Sequence, residues 1–251
     1  MTEVVATRRD GHVLVITLQR ESKRNAIDRH LANAIASALN MLDDDDSVWA
    51  GVLTGSSTFF SAGSDLTALG DYVTERGGEY GIIRRNRRKP LIAAVEGFAL
   101  GGGMEIVLAC DLVVAASNAR FGLPEVGIGV IPTCAGLFRA PQSLPLNLAR
   151  ELILTGAPIG AERAYNAGFV NVLCEPGQAA VEAVALAHRI CANAPQSVQA
   201  CLAAINTRLA TEAVEGWTAT QTAKDAILGT ADASEGVRSF FEKRAPNWTG
   251  Y

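Results

Sequence analysis

From Leu91 to Ala116 the chain is almost entirely apolar or glycine, yet Glu96, Glu105 and Asp111 interrupt it. No other segment restricts the fold so strongly. A membrane helix would have to place three acids in lipid, each costing about 2.5–3.5 kcal/mol near the bilayer centre, and carry a glycine triplet besides. The core of a soluble protein accommodates the same pattern if each buried acid has a partner or a function. The segment divides into Leu91–Val95, of strand length; the glycines Gly97 and Gly101–Gly103; a short helix, Met104–Ala109; and a second buried strand, Leu112–Ala116.

The same alternation recurs upstream. His12–Leu18 is an apolar run of strand length, and Asn25 is placed to cap a helix whose Ile27, Leu31, Ile35, Leu39 and Leu42 share one face. Val48–Thr54 is a strand closed by Gly55. Strand, glycine turn and helix in repetition predict α/β architecture. From Pro145 the pattern becomes mainly helical: Leu146–Leu154, Gly160–Ala167, Ala179–Ala192, a helix opened by Pro195 and running to about Ala210, and a last one begun by Asp232 and Glu235. Phe169–Leu173 reads as a short strand. A boundary at Ala194-Pro195 divides an α/β core, residues 1–194, from a helical region, residues 195–251.

Composition narrows the function. A chain with 49% hydrophobic residues can form a substantial core, and 19% charged residues with a net charge of -4 lack the basic excess of a nucleic-acid binder. The first ten residues contain no signal-like apolar run, so a cytoplasmic protein is expected. The cysteines are five in number without a C-x-x-C pair, and His12, His30 and His188 are scattered, which argues against disulfide scaffolding and against zinc. Neither a phosphate-binding G-x-x-x-x-G-K-[ST] loop nor a G-x-S-x-G elbow occurs. The acidic block Asp43–Asp46 reads as a solvated loop, and Arg84-Arg85-x-Arg87-Arg88-Lys89 as a solvated face or a phosphate site.

What remains is glycine beside acid in apolar surroundings. Ser61-Ala62-Gly63-Ser64-Asp65-Leu66 lets backbone lie close to a ligand, because no bulky side chain stands in the way. Ala99-Leu100-Gly101-Gly102-Gly103-Met104-Glu105 places a glycine triplet at a helix start, where unpaired N–H groups favour negative charge. Phe121-Gly122-Leu123-Pro124-Glu125-Val126-Gly127-Ile128-Gly129-Val130-Ile131-Pro132 carries one acid in a glycine-punctuated loop. Each alone is as well explained by a turn, a packed loop or a cap.

Together and in this order, these three segments resemble the enoyl-CoA hydratase/isomerase (crotonase) superfamily. Arg20–Ala26 (R-x-x-K-R-N-A), Ala109–Leu112 and the closing F-x-E-K-R-x-P-x-W extend the resemblance over the whole chain. It implies a spiral of ββα units and a helical C-terminal region that assembles trimers or paired trimers (hexamers). It makes the N–H groups of Ser64 and Gly102 an oxyanion hole for a thioester carbonyl, and Glu105 and Glu125 a catalytic pair. Asp65, Leu66 and Thr67, with Ser64, Ala26 and Ala62, would line the acyl-CoA groove. Pro132 and Thr133 would stand near the acyl chain or the reacting water, and Lys23, Arg24 and a neighbouring subunit's Lys243 would meet the coenzyme phosphates.

The resemblance implies no permanently bound cofactor, coenzyme A entering as part of the substrate. The implied reaction is reversible hydration of a 2-enoyl-CoA to a 3-hydroxyacyl-CoA. An isomerase using one glutamate, and a non-catalytic acyl-CoA binder, are the alternatives. The chain departs from the family's I-P-G-A-G-G-T-Q-R at Thr133 and Ala135, which fill glycine positions. If either position needs positive φ, the loop must accommodate a side chain there.

Overall fold

The computed structural model of the protein describes residues 3–68 and 72–250. Strand β1 (Val5–Asp10) pairs antiparallel with β2 (Val13–Leu18), and α1 (Arg29–Asp44) follows. Then come β3 (Ala50–Thr54), β4 (Phe59–Ser61) and a small hairpin, β5 (Val73–Thr74) with β6 (Gly78–Glu79). Next are β7 (Leu91–Val95), β8 (Phe98–Leu100), α2 (Gly102–Leu108), β9 (Leu112–Ala116) and β10 (Arg120–Gly122), then a 3-10 turn, Pro124–Ile128, the counterpart of one at Glu21–Lys23. The remainder is α3 (Gly136–Ser143), α4 (Leu146–Thr155), β11 (Ile159–Gly160), α5 (Ala161–Asn166), β12 (Val172–Cys174), α6 (Ala179–Cys191), α7 (Pro195–Ile227) and α8 (Ala231–Glu242).

Two sheets organise these elements. The larger has the order β1-β2-β3-β7-β9-β12, parallel from β2 onward. The smaller has the order β11-β10-β8-β4, and its β4, β8 and β10 are parallel neighbours. After β3, β7 and β9 the chain adds β4, β8 and β10 to the small sheet and then crosses back. This repeat is the ββα winding that the resemblance implied.

Side chains of a strand alternate between faces, and both faces of the inner strands β2, β3, β7 and β9 are covered, so these strands are almost wholly apolar, whereas the edge strand β1 carries exposed Arg8 and Arg9. Val13, Val15, Val52, Ile92, Ala94 and Val114 pack on one side against Ala179, Ala183 and Ala187, one stripe of α6. Leu14, Ile16, Leu53, Leu91, Ala93, Val95 and Val113 face the other side, with Leu31, Ile35, Leu39 and Leu42 of α1. Each such large aliphatic side chain, fully withdrawn from water, contributes about 1.5–3 kcal/mol.

The three acids of the apolar stretch all have partners. Glu96 accepts from the N–H groups of Gly177 and Ala179 at 2.9 and 3.0 Å, capping α6. Asp111 pairs with buried Arg87 and accepts from Leu91 N–H at 2.7 Å. Glu105 caps α3, as described below.

Several expectations need correction. Asp28, rather than Asn25, caps α1, accepting from Leu31 N–H at 2.8 Å. Asn25 is instead wholly buried: it accepts from Arg20 N–H and donates to the carbonyls of Phe59 and Phe60, fastening the 20–26 turn to β4. Thr230, not Asp232, caps α8, and α7 extends well beyond Ala210. The Asp43–Asp46 block and the 84–89 basic cluster meet through one ion pair and two side-chain contacts to backbone carbonyls. Arg85 binds buried Asp43 at 2.8 Å, Lys89 donates to the Asp45 carbonyl at 2.7 Å and Arg88 to that of Asp43, while Arg84 binds Glu79. Asp44 and Asp46 are exposed, as a solvated loop would have them, whereas Asp43, Arg87 and Lys89 are buried.

Candidate active site

The site forms where the three parallel strands of the small sheet end. Ligand sites form beyond the carboxyl ends of such strands because the chain diverges there and exposes backbone. Beyond β4 lie Gly63 and Ser64; β8 leads into Gly101 and Gly102; β10 leads into the Pro124–Ile128 turn with Glu125. Neighbouring strands thus deliver three segments, far apart in sequence, to one place.

The first two segments touch through backbone. Gly63 has φ +90, and a Cβ there would stand 2.9 Å from Gly102 N and 2.8 Å from Leu100 O. Glycine is required for both the angle and the approach. Around Ser64, the Gly63 carbonyl accepts from Ile27 N–H at 2.8 Å and Asp65 N–H donates to Ile27 O at 2.9 Å, so the flanking peptides face Ile27. By the alternation of parallel pairing, the N–H of Ser64 turns to the opposite edge. Gly102 opens α2, where the first N–H groups have no intrahelical acceptor.

The acids flank this contact. Glu105 is buried one turn into α2, and its Oε1 accepts from the N–H groups of Cys134 (2.7 Å) and Gly136 (2.9 Å) at the start of α3. Two amides and a helix N-terminus stabilise the carboxylate form. Glu125 approaches from the other side: a Cβ at Gly101 would lie 3.3 Å from its Oε1. Gly101 immediately precedes α2, the helix that carries Glu105, so both acids lie near the entry to α2. Behind Glu105, burial pushes the Arg139 guanidinium down to about 10, and its Nη2 donates to the Ile83 carbonyl at 2.8 Å.

The departures from the family pattern separate cleanly. Thr133 has ordinary backbone, whereas Ala135 sits at φ +80 as the residue before α3. That left-handed alanine, at a cost of about 1–2 kcal/mol, holds the turn in which Cys134 and Gly136 both face Glu105.

The remaining expected residues lie around this centre. Ala26 and Ser64 are half-buried, while Ala62, Leu66 and Thr67 are exposed, forming a rim. Asp65 is turned inward upon the loop: Thr67 and Arg20 hold its carboxyl below the usual carboxylate range. Pro132 is buried beside Thr133. Lys23 and Arg24 are exposed in the 20–26 turn, Arg24 lying 5.6 Å over the Phe59 ring. Lys243 ends α8, a helix that packs through Gly236 on Ile128 of the Glu125 turn.

The sequence reading missed Tyr80. It is buried with φ +54, its hydroxyl is 2.6 Å from Ser64 Oγ, and its ring lies on Gly102, where a Cβ would be 2.6 Å from the phenol oxygen. The only signal was the glycine-rich surround, Gly77, Gly78 and Gly81.

Comparison with known proteins agrees with this arrangement. The enoyl-CoA hydratase/isomerase family model matches residues 8–251, and the chain belongs to that family. It is 34% identical over 248 residues to the short-chain-enoyl-CoA hydratase of Clostridium acetobutylicum, covering 96% of this chain and 95% of that one. It is 32% identical over 255 residues to the 2,3-dehydroadipyl-CoA hydratase of Escherichia coli K12, covering both completely. The structure of a carnitinyl-CoA dehydratase from Mycobacterium avium 104 superposes with a TM-score of 0.91 at 40% identity, again over the whole of both chains. The fold is the α/β crotonase spiral with a helical C-terminal region.

Proposed function

We propose that the protein is an enoyl-CoA hydratase that adds water reversibly to a 2-enoyl-CoA, giving a 3-hydroxyacyl-CoA. The observation that carries this reading is the convergence of Ser64, Gly102 and Glu125 at the ends of adjacent strands, with Glu105 one turn into the helix between them. Water attacks the β-carbon only if electrons of the conjugated double bond can move onto the thioester oxygen. Two fixed N–H donors, those of Ser64 and Gly102, bind that enolate oxygen; one such donor is worth about 2.7–4 kcal/mol of barrier. Glu105, with Oε1 held by two amides, takes a proton from the attacking water through Oε2. Glu125 gives a proton to the α-carbon, and exchange with solvent restores both acids.

The rim of Ala26, Ala62 and Ser64–Thr67 with Pro132 forms the groove for the thioester, and Lys23 and Arg24 meet the coenzyme phosphates. Coenzyme A arrives with the substrate, with no resident cofactor. Residues 1–194 act as the catalytic core. Residues 195–251 assemble a trimer or hexamer, in which Lys243 reaches a neighbour's coenzyme. The half-exposed Phe240, Phe241 and Trp248 support that role for the helical region. A cytoplasmic location fits a CoA-dependent enzyme.

Glu105→Gln and Glu125→Gln test the mechanism. Glutamine keeps an acceptor oxygen for the Cys134 and Gly136 amides, so the fold persists. Loss of enoyl-thioester absorbance should slow about 10²–10⁴-fold in each variant. Full activity in either excludes paired acids, and turnover of 3-enoyl but not 2-enoyl thioesters establishes an isomerase instead.

A further inference from the structure

A cavity of about 650 Å³ opens beside the site, between the 78–84 turn, Thr133 and the C-terminal half of α7. It adjoins the reacting centre on two sides. Glu79 in its wall precedes Tyr80, which bonds Ser64, and Thr133 precedes Cys134, which bonds Glu105. A chain leaving the two amides past Glu105 therefore enters this space.

Its walls do not suit a hydrocarbon. Val73 is apolar, but the larger apolar surface, Trp217, is covered by the Arg84 guanidinium 3.6 Å above its ring, and both oxygens of Glu79 hold that guanidinium at 3.0 Å. Successive turns of α7 then present Gln221, Lys224 and Asp225. Gln221 donates to Asp225 at 2.7 Å, and Lys224 forms no ion pair among the described residues. An alkyl tail entering here would strip water from these groups and return no hydrogen bond. A polar end group would replace that water with direct partners.

We infer that this enzyme acts on enoyl-CoA thioesters whose acyl chain ends in a polar or charged group, read by α7 and the 78–84 turn, and not on plain fatty chains. This rests on the hydratase reading for the direction of the chain.

The test uses the full-length protein and three 2-enoyl-CoA thioesters of equal length, ending in methyl, carboxylate or trimethylammonium. One polar-ended substrate should exceed the methyl-ended one in kcat/KM by about tenfold or more. A carboxylate preference should collapse in Lys224→Met, and an ammonium preference in Asp225→Asn. Equal or better turnover of the methyl-ended substrate overturns the inference, as does a polar preference that survives both variants. Calorimetric binding of the three saturated thioesters reads the pocket without turnover. An inactive protein that still binds polar tails tenfold tighter overturns hydration but upholds the polar-end selectivity of the pocket, whereas equal binding overturns the inference.

Discussion

Gly63→Ala is the substitution whose cost can be worked most directly from the structure. The new methyl would meet Leu100 O at 2.8 Å and Gly102 N at 2.9 Å, at φ +90. These neighbours are backbone atoms, so no rotamer change relieves the contact. The left-handed conformation costs about 1–2 kcal/mol and the overpacking about 1–3 kcal/mol. Together they remove about 2–5 kcal/mol, and at roughly 2–4 °C per kcal/mol for a chain of this size the melting temperature falls by roughly 4–20 °C. The catalytic effect is separate. The methyl forces apart the two segments that carry the oxyanion donors, and losing one donor costs about 10²–10³ in kcat. Because that oxygen gains its charge in the transition state, kcat should fall further than KM rises. The assay is absorbance loss of a 2-enoyl-CoA at 25 °C, beside a thermal melt confirming that the variant is folded. A folded variant with kcat within about threefold of the parent, a barrier change well under 1 kcal/mol, would refute the convergence of the two amides.

Three other outcomes are expected. Ala135→Gly should keep activity and change stability by less than about 1 kcal/mol, since relief of the left-handed strain is offset by a more flexible unfolded chain; Ala135→Val should lose about 2 kcal/mol or more and disturb the Glu105 cradle, as read by melting and by kcat. With a thiol reagent at pH 8, exposed Cys201 should react first, while Cys110, pushed up to about 12 by burial, and Cys174, pushed up to about 11, should react only on unfolding. Thr67 and Arg20 depress the Asp65 carboxyl, so its stabilisation of the 64–67 loop is complete above about pH 4 and is lost as pH falls through its lower folded value. Amide exchange at 64–67 should therefore accelerate, beyond the intrinsic pH trend, only below about pH 4, and Asp65→Asn should abolish that step.

Much of this protein was written locally. Long apolar runs and helical periodicity located the inner strands of the large sheet and most helices, because those signals need only neighbours in sequence. The glycine–acid segments marked Ser64, Gly102, Glu105 and Glu125 as candidates, since glycine beside a buried acid is rarely neutral. The three-residue strands β4, β8 and β10 were not legible, being shorter than any period that could announce them. The extent of α7 was hidden too, its burial along one face being slight.

Pairing across distance was decided only by the folded chain. The sequence could show that Glu96, Glu105 and Asp111 needed partners, but the partners stand 20 to 83 residues away, at Leu91, Gly136 and Ala179 among others. It could show that the 43–46 acids and the 84–89 bases were charged runs, but only the packing of α1 against the segment leading into β7 set them face to face. Tyr80 over Gly102, and the choice of Ala135 rather than Thr133 for the left-handed position, belong to the same class. Composition and period are properties of a segment and survive in isolation. A hydrogen bond between remote segments exists only once the sheets have brought strand ends together, and no local pattern records which ends will meet.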